Sequence, residues 1–328
     1  MSSNNSQTNF YQYIPLEAPN LAALVLFVVA WATHAVLTAY HKRIWFSSCM
    51  LIATGLEAGG YIARYLSSSN PYNYNNYIVQ TVLLIFAPAF FMAGVYYLLG
   101  EITVIWGTEY ARFRPWTYTK IFVTLDVLSI VIQGIGGGVA SSNLNSNSST
   151  QTGTDIMIGG LAFQVCATLL FMISCLDYYL RVRKAHRVAA LSLTTTALEL
   201  TLETGEQRAM PGDAPGEYAT IRHAKKTKVF LAAVTAAVIL VFVRSVYRVV
   251  ELSVGWSGYL MTTEVYFLVL DSLMIVLATW IMCIFHPGFY LGKVNIRAEQ
   301  TLSLSSDTEE SNVVVGGEVQ EKKRFGIF

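Results

Sequence analysis

The stretch Phe242-Val-Arg-Ser-Val-Tyr-Arg-Val-Val-Glu251 holds three residues whose types and spacing suit electrostatic chemistry in an apolar setting. Arg244, Arg248 and Glu251 fall at i, i+4 and i+7, which is one face of a helix. They close an apolar run from Val229 to Val243, 15 residues long, short of the ~20 needed to cross a hydrocarbon core. A helix that spans from there carries Arg244 into the membrane. A central arginine costs roughly 2.5–3.5 kcal/mol, so partners are expected. Glu57 and Arg64 stand seven residues apart, as do Glu264 and Asp271. That spacing is two helical turns and therefore one face. The expectation is that Glu57, Glu251, Glu264 and Asp271 meet Arg64, Arg244 and Arg248 at one depth, joined by Gln80. Asp126, Gln133 and Gln164 form a second, deeper polar group. For the glutamines an interhelical hydrogen bond and pore lining are equally good readings. Asp126 either lines a cavity or pairs with Lys120.

Such a network either fixes helix packing or lines a polar pocket. Apolar packing stabilises as well as buried ion pairs do or better, which favours the pocket. A proton-coupled step through Glu57 or Asp271 is compatible with that setting.

The elements that position these residues follow from composition. The 328 residues are 54% hydrophobic and 13% charged, with a mean hydropathy of +0.46. Soluble domains carry about twice that charge fraction. The class is an all-α, polytopic membrane protein. Net charge +1 gives no bulk attraction to nucleic acid. Cys49, Cys166, Cys175 and Cys283 lie in or beside apolar runs and read as small buried hydrophobes, without disulfide or metal spacing.

Seven runs are long enough to span: Leu21–Tyr40, Ile44–Leu66, Tyr77–Gly100, Ile121–Ala140, Ile156–Leu180, Val229–Val254 and Val265–Phe285. Residues 1–20 then form an extracellular tail, 21–291 the seven-helix domain, and 292–328 a disordered cytoplasmic tail. The connection 181–228 reads as a mostly disordered cytoplasmic loop, given its Pro211-Gly212-Asp213-Ala214-Pro215-Gly216. Nineteen of the 22 lysines and arginines fall in alternate connections and the C-terminal tail. The positive-inside rule places the N-terminus outside and the C-terminus in the cytoplasm. The sequons at Asn4 and Asn147 both fall on the outside.

Gly55-Leu-Glu-Ala-Gly59 and Gly134-Ile-Gly-Gly-Gly138 place small residues four apart, which lets helix backbones touch. Ala87-Pro88 predicts a kink in the third helix. His286-Pro287-Gly288 stops the seventh, with the histidine favouring its C-terminal dipole.

At these positions the chain resembles the fungal RTA-like family, the lipid-translocating exporters, over roughly residues 20–290. The resemblance rests on Glu57-Ala-Gly-Gly-Tyr-Ile-Ala-Arg64, Ala87-Pro88 with Tyr96 and Gly100, and Asp126 with Gln133-Gly134. It extends to Gly160-Leu-Ala-Phe-Gln164, Arg244-Ser-Val-Tyr-Arg-Val-Val-Glu251, Glu264, Asp271 and His286-Pro-Gly288. Glu101 and Leu268 depart from its pattern. The resemblance implies a seven-span plasma-membrane exporter of sphingoid long-chain bases or related toxic amphiphiles, with membrane lipids as partners and neither enzymatic activity nor a cofactor. A seven-span receptor or stress sensor is the alternative, although Gly100-Glu-Ile-Thr lacks the acid-Arg-Tyr type of switch. A zinc hydrolase would need three clustered histidines, and only His34 lies within a span, with His286 at the end of one.

Overall fold

The computed structural model describes residues 11, 13–145, 149–204, 225–255 and 258–291. Both sequons, at Asn4 and Asn147, and the C-terminal tail lie outside them. The described residues are helical and contain no strand. Seven long helices follow in order: α1 Glu17–His41, α2 Ile44–Ser69, α3 Tyr74–Trp106, α4 Pro115–Asn145, α5 Gln151–Thr204, α6 Lys225–Ser253 and α7. The last is three contiguous pieces, Glu264–Tyr266, a π-helical Phe267–Leu273 and Met274–Ile284.

Six of the seven are long and apolar enough to cross a membrane. The exception is α2, which is 26 residues long but buries Ser47, Thr54, Glu57, Arg64 and Ser67 along one face. Its polarity is the polarity of the site. Each helix packs against its chain neighbours, and α7 returns to α1 to close the bundle. α3 also reaches α6 and is the most buried helix. Elsewhere the apolar side chains face outward, as with Val25, Val28, Val29 and Val36 on α1. A bundle whose exterior is apolar is built for a lipid surround.

Local chemistry sets the helix ends. Asn73 caps α3, its side chain accepting from the backbone N–H of Asn75 at 3.0 Å and Asn76 at 3.4 Å. Pro115 opens α4, where a missing N–H costs nothing. Lys42 adopts φ 54°, which turns the chain from α1 into α2 within two residues.

Three expectations need correcting. The segment after Leu180 is helical as far as Thr204, not a loop, because the sequence carries no glycine or proline between Gly160 and Gly205. Residues 205–224 lie outside the described set. Glycine contacts fall beside the expected pairs. A Cβ placed on Gly134 or Gly138 would meet no other part of the bundle within 4 Å. Gly136 instead faces α5, where a Cβ would come within 2.6 Å of the Met157 backbone nitrogen. On α2 the tightest position is Gly60, where a Cβ would come within 2.6 Å of the Leu84 side chain. Finally, of the cysteines only Cys283 is buried, while Cys166 is exposed.

Candidate functional site

One end of the bundle gathers the N-terminal ends of α1, α3 and α7 with the C-terminal ends of α2 and α6. Here the charged residues singled out by their spacing come together. Asp271 is fully buried and sits at the centre. It accepts from Arg248 Nε at 2.7 Å and Nη2 at 3.2 Å. Arg244 Nε lies 3.1 Å from the same carboxylate. Arg248 Nη1 also donates to Glu251 at 2.8 Å, and the Tyr247 hydroxyl donates to the other Glu251 oxygen at 2.9 Å. Glu57 stands 3.5 Å from Arg244 Nη2.

The i+7 argument for α7 assumed a regular helix. The π-helical segment inserts extra backbone at Phe267–Leu273, and Asp271 lies within it. Such bulges re-aim side chains and often mark functional positions. No residue type in Phe267–Leu273 announces one.

Arg244 also does something the sequence reading missed. Pro88 has no N–H, so the carbonyl of Leu84, four residues earlier, has no helical donor. Arg244 Nη2 donates to that carbonyl at 2.8 Å. The proline in α3 and the arginine in α6 are thus one device.

A second ion pair lies nearer the end of the bundle. Arg64, 1% exposed, donates from Nη2 to Glu264 at 3.0 Å and to the Tyr13 hydroxyl at 2.7 Å, and from Nε to Asn20 at 2.8 Å. Glu264 further accepts from the Leu16 backbone N–H at 2.9 Å and from Asn20 at 3.1 Å. Phe267 lies between the two arginines, its ring centre 4.0 Å from the Arg64 guanidinium carbon and 5.0 Å from that of Arg248. This placement shields and favours both cations.

Tyr11, Tyr13, Leu16 and Asn20, expected within the extracellular tail, belong to this site. Helix α1 starts at Glu17, and Tyr11 is 3% exposed. The Tyr11 hydroxyl donates to Gln80 at 2.7 Å and also contacts Ser67 at 3.0 Å. Burial pushes the phenols of Tyr11 and Tyr13 above their usual value, so both stay neutral. Neither tyrosine lies in an apolar run, which is why hydropathy assigned them to solvent.

Between these groups is a small cavity lined by Tyr11, Tyr13, Arg64, Tyr77, Arg248 and Glu251, with Gln80 and Phe267 also on its wall. A water-sized occupant has about 40 Å³ there, room for a few waters or a compact polar group. A long hydrocarbon chain does not fit.

Asp126, Gln133 and Gln164 are deeper and separate from the ion pairs. Gln133 donates to Gln164 at 3.0 Å, joining α4 to α5. Asp126 accepts from the Tyr96 hydroxyl at 2.9 Å, so its partner is on α3 and is not Lys120.

The opposite end carries two features that spacing did not reveal. Arg43 pairs with the buried Glu101, one of the positions departing from the family pattern. Three histidines also meet: the ring of His286 lies 5.2 Å from His41 and 6.4 Å from His34. Among the described residues no group of histidine, cysteine or acid has metal-binding geometry. His286 does not serve the α7 dipole. It caps the following turn, accepting from the Gly288 N–H at 3.1 Å.

An all-helical bundle with an apolar exterior and a charged network buried at one end defines a polytopic membrane protein with a polar interior site. Residues 50–294 match the family model described as RTA1 like protein. The chain belongs to the RTA1-like family. It is 33% identical over 282 residues to the Saccharomyces cerevisiae sphingoid long-chain base transporter RSB1, covering 83% of this chain and 72% of that one. It is 26% identical to protoporphyrin uptake protein 1 of the same species, over 92% of this chain and 100% of that one. Protein RTM1 is 29% identical over 73% of this chain and 65% of its own length. No solved structure matches.

Proposed function

We propose that this protein translocates cationic amphiphilic lipids of the sphingoid long-chain base type across the plasma membrane, using the charged network to receive the headgroup. All seven helices span, α2 included, with the N-terminus outside and the C-terminus cytoplasmic. The network then lies in the outer half of the bundle. Support for the orientation is that Lys42, Arg43, Arg112, Arg114, Lys120 and Lys225 all lie at or near the opposite end.

The observation that carries the reading is the make-up of the network. Four acids, Glu57, Glu251, Glu264 and Asp271, face three arginines, Arg64, Arg244 and Arg248, beside a cavity of headgroup size. A surplus of acid suits an ammonium group. The hydrocarbon chain stays among the apolar helix faces, because the cavity has no room for it. Gln80 lines the cavity wall, and Asp126, Gln133 and Gln164 supply acceptors deeper along the path. The names of two relatives, a long-chain base transporter and a porphyrin uptake protein, support movement of hydrophobic molecules.

The test is purified protein in liposomes, comparing flipping of a labelled long-chain aminodiol with an uncharged diol of equal length. The expected result is faster movement of the amine. Equal rates for both, or no movement of either, would refute the proposal. Glycosylation at an introduced Asn4-side sequon, against none at the C-terminal tail, checks the orientation.

A further inference from the structure

The acid surplus poses a problem in the absence of substrate. With every group ionised, the network carries a net charge of −1 in a region where a lone charge must be paired or face water. Arg64 and Glu264 balance each other. That leaves Arg244 and Arg248 against Glu57, Glu251 and Asp271.

The geometry shows which carboxyl is left over. Asp271 takes two hydrogen bonds from Arg248 and lies against Arg244. Glu251 takes one from Arg248 and one from Tyr247. Glu57 takes none: both of its oxygens are buried without a hydrogen-bond partner, in a residue 1% exposed. Its one charged neighbour within 4 Å is Arg244 at 3.5 Å, and that Nη2 spends its good hydrogen bond on the Leu84 carbonyl. The groups around Glu57 are Arg244 and Arg248 from α6, Asp271 from α7, and Tyr61 on its own helix, whose hydroxyl is committed to Ser272. From α3 comes the Leu84 carbonyl, already satisfied.

We infer that Glu57 holds an exchangeable proton in the substrate-free protein and releases it when a cationic headgroup enters, making transport a proton-for-ammonium exchange. This rests on the proposed function above. The step balances: the Glu57 O–H breaks, the proton leaves to water, and the carboxylate left behind neutralises the incoming ammonium. No net charge enters the bundle. The structure selects Glu57 over Asp271, which the sequence left as equals, because Asp271 is fully occupied by two guanidiniums.

The experiment uses the full chain in liposomes loaded with a pH-sensitive dye. The probe is a long-chain trimethylammonium lipid, which carries no dissociable proton of its own. The expected result is a counter-movement of about one proton per lipid moved, and acceleration of at least tenfold by an opposing pH gradient. Glu57→Gln should lose both effects while melting within a few degrees of the native protein, since glutamine matches the neutral acid in shape and charge. Infrared difference spectra between native protein and Glu57→Gln should show the C=O band of a protonated carboxylic acid.

Lipid movement in native protein without proton movement would overturn the exchange and leave the proposed function standing. If neither this probe nor the labelled long-chain aminodiol moves, the proposed function fails, and the infrared band alone decides whether Glu57 carries the proton. Its absence would end the inference.

Discussion

Removing Arg244 and Asp271, singly and together, tests whether the network is one coupled unit. Arg244→Met takes away the guanidinium 3.5 Å from Glu57 and orphans the Leu84 carbonyl. Breaking one partner from a buried ion pair costs about 3–5 kcal/mol. An orphaned buried acceptor adds about 1–3 kcal/mol. Asp271→Asn leaves two guanidiniums facing a neutral amide, again at about 3–5 kcal/mol. In the double variant, Arg248 still has Glu251, so the charge imbalance created by either change is cancelled. The double variant should therefore be more stable than the sum of the singles by about 2–3 kcal/mol, the upper range for direct contacts. At about 2 °C per kcal/mol for a large domain, Asp271→Asn should melt roughly 6–10 °C lower and Arg244→Met roughly 8–16 °C lower. The double variant should recover about 4–6 °C of the summed loss. The assay is thermal unfolding of detergent-purified protein followed by tryptophan fluorescence, with monodispersity checked by gel filtration. Additive losses within about 0.5 kcal/mol would refute direct coupling between Arg244 and Asp271.

Further outcomes follow from other contacts. Pro88→Ala returns an N–H to the Leu84 carbonyl, so Arg244→Met should cost about 1 kcal/mol less in that background; a second thermal cycle reads this. Leucine at Gly136 should abolish folded protein because the α4–α5 backbones touch there, whereas Gly134→Leu and Gly138→Leu should leave the yield unchanged, as scored by gel filtration of a fluorescent fusion. Tyr11→Phe removes the bonds to Gln80 and Ser67 and should lower stability by about 1–2 kcal/mol while speeding thiol labelling of a cysteine placed at Thr81, on the cavity wall.

What the sequence made legible was the membership of the network, and the reason is cost. Charges are expensive in apolar runs, so each of Glu57, Arg64, Arg244, Arg248, Glu251, Glu264 and Asp271 stood out from its neighbours. Which acid meets which arginine was not legible, because that depends on a π-helical segment with no local signal and on a backbone carbonyl freed by a proline in another helix. Tyr11, Tyr13, Leu16 and Asn20 were invisible for the opposite reason. Tyrosine and asparagine are unremarkable in a polar terminus, and a backbone N–H has no sequence signature at all. The meeting of His34 and His286, each visible in the sequence, was not legible because they stand 252 positions apart; only the return of α7 to α1 brings them together with His41.

The unpartnered polar atoms inside the bundle support the proposed cationic ligand independently of charge counting. Among the described residues away from the histidine end, the unpartnered oxygens are those of Glu57, which become acceptors once its proton leaves, with Asp126 Oδ1 and Gln133 Oε1. The orphaned donor there, Arg244 Nε, already lies 3.1 Å from the Asp271 carboxylate and is served electrostatically. An anionic headgroup would bring more acceptors to a site already short of donors. A primary ammonium brings three donors and no acceptor, which is what these atoms lack. Asp126 and Gln133 are seven residues apart on α4, roughly 10 Å along the helix. Under the proposed function, a headgroup moving down that face would pass from one unfilled acceptor to the next, each replacing part of the hydration it gave up on entry.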